Sequence, residues 1–262
     1  MGTVAKALSL LNYFTADRPE IGLSELTRLS GMNKATVYRM MTELQESRFV
    51  EQTDGAKSYR LGTAVLRLSS LREAAVPLRE TSKRAVRELA TKTGETAHFS
   101  ILDGAQLATM NYAYSSDHGT CVMMDDAMEL PLHATSSGLA VLAFCDPALV
   151  DQVLTKKLDV RTPFTVVDPT LLRGMIQNTR DTGIAEYVSG FESDVHSFAA
   201  PIFNDARVAI AAIAVAAPVN RVSSENAPVF RRAVFDAAHA LTHATGGFPP
   251  VGYDLKLEKA LV

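Results

Sequence analysis

The stretch from Ser24 to Leu61 constrains this chain most, because two helical periods, a glycine stop and a strand pair follow one another there. Ser24 reads as the N-cap of a short helix that buries Leu26 and Leu29. Gly31 reads as its stop, since glycine enters the left-handed conformation at little cost. Asn33 reads as the cap of the next helix, where Val37, Met40, Met41 and Leu44 fall at i, i+3, i+4 and i+7. That phase leaves Lys34, Ala35, Thr36, Tyr38, Arg39 and Thr42 on or near the free face. A short helix, a tight glycine turn and a second helix exposing Lys, Thr, Tyr and Arg near its start match a helix-turn-helix. An ordinary helical hairpin with solvated polar residues has the same spacing, so the segment alone leaves both readings open.

The following residues separate them. Phe49, Val50 and Glu51 read as a strand, Thr53, Asp54 and Gly55 as a turn, and Ser58 to Leu61 as the return strand. A hairpin directly after a recognition helix is a wing, which favours a winged helix-turn-helix over residues 1–62. In that reading Arg39 suits a bidentate contact to guanine or phosphate, Lys34 and Thr36 suit phosphate oxygens or base edges, and Tyr38 shares their face. Lys57 and Arg60 on the wing suit phosphate or the minor groove. Upstream, Val4, Leu8, Leu11 and Phe14 recur at helical spacing, and Pro19 and Gly22 then break the chain. Residues 1–87 carry 14 Lys/Arg against nine Asp/Glu, and residues 88–262 carry 12 against 20. A basic head on an acidic body agrees with one end meeting a polyanion.

Past the hairpin, residues 63–78 read as a linker helix that can also dimerise, and Pro77 interrupts before a helix bearing Arg79, Lys83, Arg84 and Arg87. Residues 79–246 alternate. Strands are expected at 96–102 and 106–113 around the Asp103-Gly104 turn, and later at 184–188, 196–203 and 208–216. Helices are expected at 137–145, 147–155, 169–181 and 224–244. Strands flanked by helices at both sequence ends indicate an α+β domain. The tail at 247–262, with Pro249 and Pro250, is expected to be loose or packed on a partner.

Several function classes find little support. With 47% hydrophobic and 21% charged residues the chain is not a disordered one. Its longest apolar run, Val208 to Val219, is too short to span a bilayer, so no membrane role is expected. The N-terminus lacks a basic segment followed by an apolar core, and a cytoplasmic location is expected. Cys121 and Cys145 lack metal spacing, and neither a P-loop nor a dinucleotide fingerprint is present, so no metal or cofactor is expected. Ser136-Ser137-Gly138 lacks the glycine pattern of a nucleophile elbow, and His239 and His243 lack the glutamate of a zinc-protease motif. No catalytic residue is expected.

Three segments stand in order behind the winged helix: Pro131-Leu132-His133-Ala134-Thr135-Ser136-Ser137-Gly138-Leu139-Ala140; Gly183-Ile184-Ala185 running on to Ser197-Phe198-Ala199-Ala200-Pro201-Ile202-Phe203; and Ala211-Ala212-Ile213 ending at Pro218, with Arg221 beyond. Together with the winged helix they resemble the IclR-type regulators. The resemblance spans roughly residues 3–245. It implies a GAF-like effector-binding domain, a linker helix, and a homodimer or homotetramer on a palindromic operator in double-stranded DNA. It further implies a small-molecule effector, an organic acid or aromatic catabolite, that switches the grip on DNA, most such proteins being repressors.

Within that resemblance Ser136, Ser137 and Gly138 open a helix whose amides and dipole suit a carboxylate, although simple capping explains them equally. Tyr187 and Ser197 match effector-contacting positions. Ala214 and Ala216 stand where small polar residues hold effectors, and Met110 is read as a wall residue although a strand methionine is more often core. The family commonly has an acidic residue at Tyr187 and a glutamate at Gly190, and often glycine at Asp194 and arginine at His196. By strand alternation Ala212, Ala214 and Ala216 share a face, which predicts an apolar wall and a roomier or more hydrophobic effector than a two- or three-carbon acid. The competing reading is a metabolite-binding protein or enzyme whose helical head serves assembly. It predicts that Lys34, Thr36, Arg39, Lys57 and Arg60 are buried or scattered.

Overall fold

A computed structural model describes residues 2–14, 18–53, 57–75, 78–125 and 129–256, so Asp54, Gly55 and Pro77 lie outside the described residues. The chain divides into two compact units, Met1–Pro77 and Leu78–Val262.

The first unit holds α1 (Thr3–Leu11), β1 (Ile21–Gly22), α2 (Leu23–Ser30), α3 (Lys34–Glu46), β2 (Val50–Gln52), β3 (Ser58–Leu61) and α4 (Thr63–Ala75). Its core is Leu10, Ile21, Leu26, Val37, Met40, Met41, Leu44, Val50 and Tyr59. Two expectations change. Gly22, not Ser24, stands at the N-cap of α2, because pairing of Ile21 with Tyr59 and of Gly22 with Ser58 brings the chain into the helix earlier. In α1 the buried side runs through Ala7, Leu10 and Leu11, while Val4 and Leu8 are 74% and 48% exposed. Both apolar stripes fit a helical period, and contact with α3 selects the one carrying Leu10.

The second unit is a six-stranded antiparallel sheet in the order β6-β5-β4-β9-β8-β7. Its strands are β4 (Thr96–Asp103), β5 (Gln106–Ala113), β6 (Glu129–Pro131), β7 (Ala185–Val188), β8 (Val195–Phe203) and β9 (Ala209–Pro218). On one face pack α5 (Leu78–Thr93) and α9 (Ala227–Ala244), burying Val86, Leu89, Phe99, Ile213, Val215, Phe230 and Val234. On the other lie α6 (Ser136–Phe144), α7 (Pro147–Thr155) and α8 (Pro169–Thr182), with Leu139, Leu142, Leu172, Ile176, Ala212 and Ala214. A central strand covered on both faces must be apolar throughout, which accounts for the alanine-rich run of β9. Its small side chains let α6 come close, and Ser136 through Ala143 are all buried.

The described part of the tail, residues 247–256, packs on its own domain through Tyr253. Tyr253 is buried, stacks on Phe235 at 5.3 Å, meets Phe144 and Phe203 edge-on, and donates a 2.7 Å hydrogen bond to the carbonyl of Gly183. Among the described residues no helix is long and apolar enough to cross a membrane.

Candidate functional site

The Asn33 cap sets the start of α3, its Oδ1 accepting the Thr36 amide at 2.8 Å. With Val37, Met40, Met41 and Leu44 buried, Lys34, Ala35, Tyr38 and Arg39 are exposed and Thr36 and Thr42 half-buried. Further along the same helix Glu43 and Glu46 are exposed. Cations and hydroxyls thus occupy the first half, where the helix dipole also favours an anion, and carboxylates the second. On the wing, Glu51 lies opposite Arg60 in the β2–β3 register, and the Arg60 Nε donates to the Glu51 carboxylate at 2.6 Å. Lys57 is exposed and has φ +51°. All five residues that discriminate the two readings therefore reach the surface of this unit.

In the second unit a cavity of about 50 Å³ opens at the N-terminus of α6. Tyr187, Ser197 and Ala216 form one row across β7, β8 and β9 and make its floor. Ala134, Thr135, Ser136 and Ser137 lead into α6 above it. Leu130, Val122 and Met124 close one side, and Gly190, Phe191, Glu192 and Val195 the other. Both sides are tied down. The Thr96 hydroxyl donates to the Val122 carbonyl, and the Thr162 and Thr165 hydroxyls donate to the carbonyls of Ser189 and Gly190.

The expected site residues do not all come together here. Ser136, Ser137, Tyr187, Ser197 and Ala216 line the cavity. Gly138 does not, because its amide donates to the Thr135 hydroxyl as part of the helix cap. A side chain at 138 would also strike the backbone of Leu132, 2.2 Å from its carbonyl oxygen. Ala214 shares the expected face of β9 but is covered by core. Met110 packs against the opposite face of the sheet, where the β4–β5 register slips between Phe99 and Ser100. Alternation from Leu107 and Thr109 turns Met110 to that face, where it is the core residue that a strand methionine more often is. Tyr187 offers its ring, not its hydroxyl, which accepts the Val166 amide at 2.8 Å.

His98, Met124, Phe191 and Glu192 were not anticipated. His98 had a signal in the sequence: Thr96, His98 and Ser100 put a polar residue at every second position of a strand otherwise apolar until Asp103. Its Nε2 lies 3.1 Å from Ser137 Oγ, and burial lowers its pKa to about 4. Burial raises the Glu192 carboxyl, the charge of Asp125 adding to it.

Two family models match this chain. The IclR helix-turn-helix domain covers residues 3–54 and the bacterial transcriptional regulator IclR C-terminal domain covers residues 73–243. The chain belongs to the IclR family. It is 27% identical to the transcriptional repressor IclR of Escherichia coli over 94% of this chain and 90% of that protein. It is 26% identical to the transcriptional regulator XynR of the same organism over 93% and 97%. A crystal structure of an IclR transcriptional regulator from Silicibacter sp. TM1040 is 53% identical, with a TM-score of 0.81 over 96% of this chain and 98% of that one. An IclR homolog from Microbacterium hydrocarbonoxydans, solved with 4-hydroxybenzoate, shares the fold at 23% identity and a TM-score of 0.58, over 94% and 99%. Members of the family are transcriptional regulators with a DNA-binding helix-turn-helix, and the enzyme reading falls.

Against the IclR pattern, two of this chain's departures are one feature. A Cβ at Gly190 would lie 2.5 Å from the Tyr187 ring, so tyrosine at 187 requires glycine at 190. A third departure, His196, pairs with Glu186 at 2.7 Å and stacks on Phe198, while Arg231 holds the other oxygen of Glu186. Burial alone would raise the Glu186 carboxyl, but the hydrogen bonds and charges of His196 and Arg231 hold it below its ordinary value.

Proposed function

We propose that this IclR-family chain is a repressor, working in the cytoplasm, whose grip on a palindromic operator is controlled by a small organic or aromatic acid. The observation that carries the reading is the cavity at the first turn of α6, where Ser136 and Ser137, whose amides precede the helix's own hydrogen bonds, are among the lining residues. The carboxylate sits at Ser136 and Ser137, with Tyr187, Ser197 and Ala216 beneath it. Of the alanines expected to make an apolar wall only Ala216 reaches the cavity, and the space is small. Tyr187 and Phe191 take up room, and about 50 Å³ is a third of the roughly 150 Å³ cavity that admits benzene. A short acid enters as the cavity stands, and an aromatic one requires the 190–195 side to yield.

At the DNA, Lys34, Thr36, Tyr38 and Arg39 meet the major groove and Lys57 the backbone; Arg60 exchanges Glu51 for a phosphate. A homodimer or homotetramer built on GAF-like effector domains presents two such heads to grooves about 34 Å apart, and effector shifts the population that fits them. Electrophoretic mobility shift of the duplex upstream of the chain's own gene tests this. Release of a retarded complex by one acid is expected, and a complex that no acid alters would contradict the effector control.

A further inference from the structure

We propose that His98 is a ligand of the effector carboxylate, donating from Nδ1 beside the first turn of α6. The inference rests on the reading of this cavity as the effector site. His98 is only 5% exposed and lines the cavity, and its Nδ1 is the one buried side-chain nitrogen or oxygen, among the described residues, without a hydrogen-bond partner. Buried polar groups in folded proteins are overwhelmingly paired, so an orphan beside a cavity marks where a ligand group belongs.

The rest of the ring's surroundings fix what that group is. Nε2 is engaged with Ser137 Oγ at 3.1 Å, which orients the imidazole against the helix start. Burial keeps the ring neutral above pH of about 4, so it has one N–H and one lone pair to offer. Which nitrogen carries the proton follows from the field. The positive end of the α6 dipole favours an anionic, acceptor-only group. Ser137 then donates its hydroxyl proton to Nε2, and Nδ1–H points to the carboxylate. Among the described residues lining the cavity there is no lysine or arginine. Amides, a hydroxyl and a neutral imidazole replace the salt bridge that an acid would otherwise seek. Glu192 also lines the cavity.

Asparagine and glutamine separate the two nitrogens, since an asparagine amide overlays Nδ1 and a glutamine amide overlays Nε2. Isothermal titration of the full-length protein with glyoxylate, pyruvate and 4-hydroxybenzoate, each against its neutral amide, is the test. At least one acid binds and its amide does not. His98→Gln weakens that acid roughly 10- to 100-fold, the loss of one charge-assisted hydrogen bond, and His98→Asn stays within a few-fold of the parent. Equal affinity in His98→Gln would remove His98 from the ligand set while leaving the effector site intact. Failure of every acid to bind the parent protein would overturn both readings. Should either variant fold poorly, the imidazole nitrogen resonances of 15N-histidine-labelled parent decide. Nδ1 is protonated and shifts on adding the acid; a protonated Nε2, or no shift with ligand bound, would contradict the proposal.

Discussion

Tyr187 and Gly190 share one volume, and their coupling sets the size of the cavity. Gly190→Ala places a methyl group inside contact distance of the ring, and should cost roughly 1–3 kcal/mol of stability. Paired with Tyr187→Ser the same change should be close to neutral, giving a large coupling energy in a double-mutant cycle by urea denaturation. Additive effects would show that the two side chains do not compete. His98 makes a second prediction at this scale. Its pKa falls from 6.5 to about 4 in the folded state, so the unfolded chain takes up a proton that the folded one refuses. Its contribution is complete above pH 6.5 and is lost as pH falls toward 4, amounting to roughly 3 kcal/mol. His98→Asn should flatten the stability profile between those limits; an unchanged slope would place the titration elsewhere.

At the scale of elements, periodicity revealed what was long and one-sided. The cap at Asn33, the phase of α3, the strand pair around Gly104 and the shared face of Ala212, Ala214 and Ala216 all follow from residue spacing. What spacing hid has physical causes. A two-residue strand such as β1, or the three residues of β6, has no period to read. The start of α2 depends on a partner strand nearly forty residues away. Met110 is core and not cavity wall because alternation from Leu107 and Thr109 turns it to the α5–α9 face of the sheet. In the same way the cavity's floor was legible in Tyr187, Ser197 and Ala216, but its sides come from loops at 122–124 and 190–195 that only the folded sheet brings together. Nor does sequence tell that Tyr253 returns to the core. With its ring in an aromatic cluster and its hydroxyl on Gly183, Tyr253→Phe should cost about 1–3 kcal/mol and Tyr253→Ala about 3–5 kcal/mol in chemical denaturation. Wild-type stability in Tyr253→Ala would mean that the segment is not part of the domain.

At the scale of the molecule, the chain joins a unit whose exposed helix face is cationic at its start to one that encloses a small, mostly apolar cavity. The first is an IclR-type DNA-binding helix-turn-helix, and a small acid is the proposed occupant of the second. In the proposed function base recognition turns on Arg39, which is exposed on α3. Arg39→Ala should weaken operator binding by roughly 1–3 kcal/mol and relax preference at one position, whereas Lys57→Ala should weaken all duplexes alike and reduce the salt slope by about one. Unchanged operator affinity in Arg39→Ala would take it out of the readout.

In the proposed function one chain binds DNA through α3 and its wing and releases it to an acid bound at α6. Fluorescence anisotropy of the full-length protein on the duplex upstream of its own gene, across salt and with and without small carboxylic acids, tests both halves together. Sequence-preferring binding is expected that falls steeply with salt and that at least one acid weakens, an effect diminished by His98→Gln. Salt-insensitive binding without sequence preference, unaffected by any acid, would contradict it.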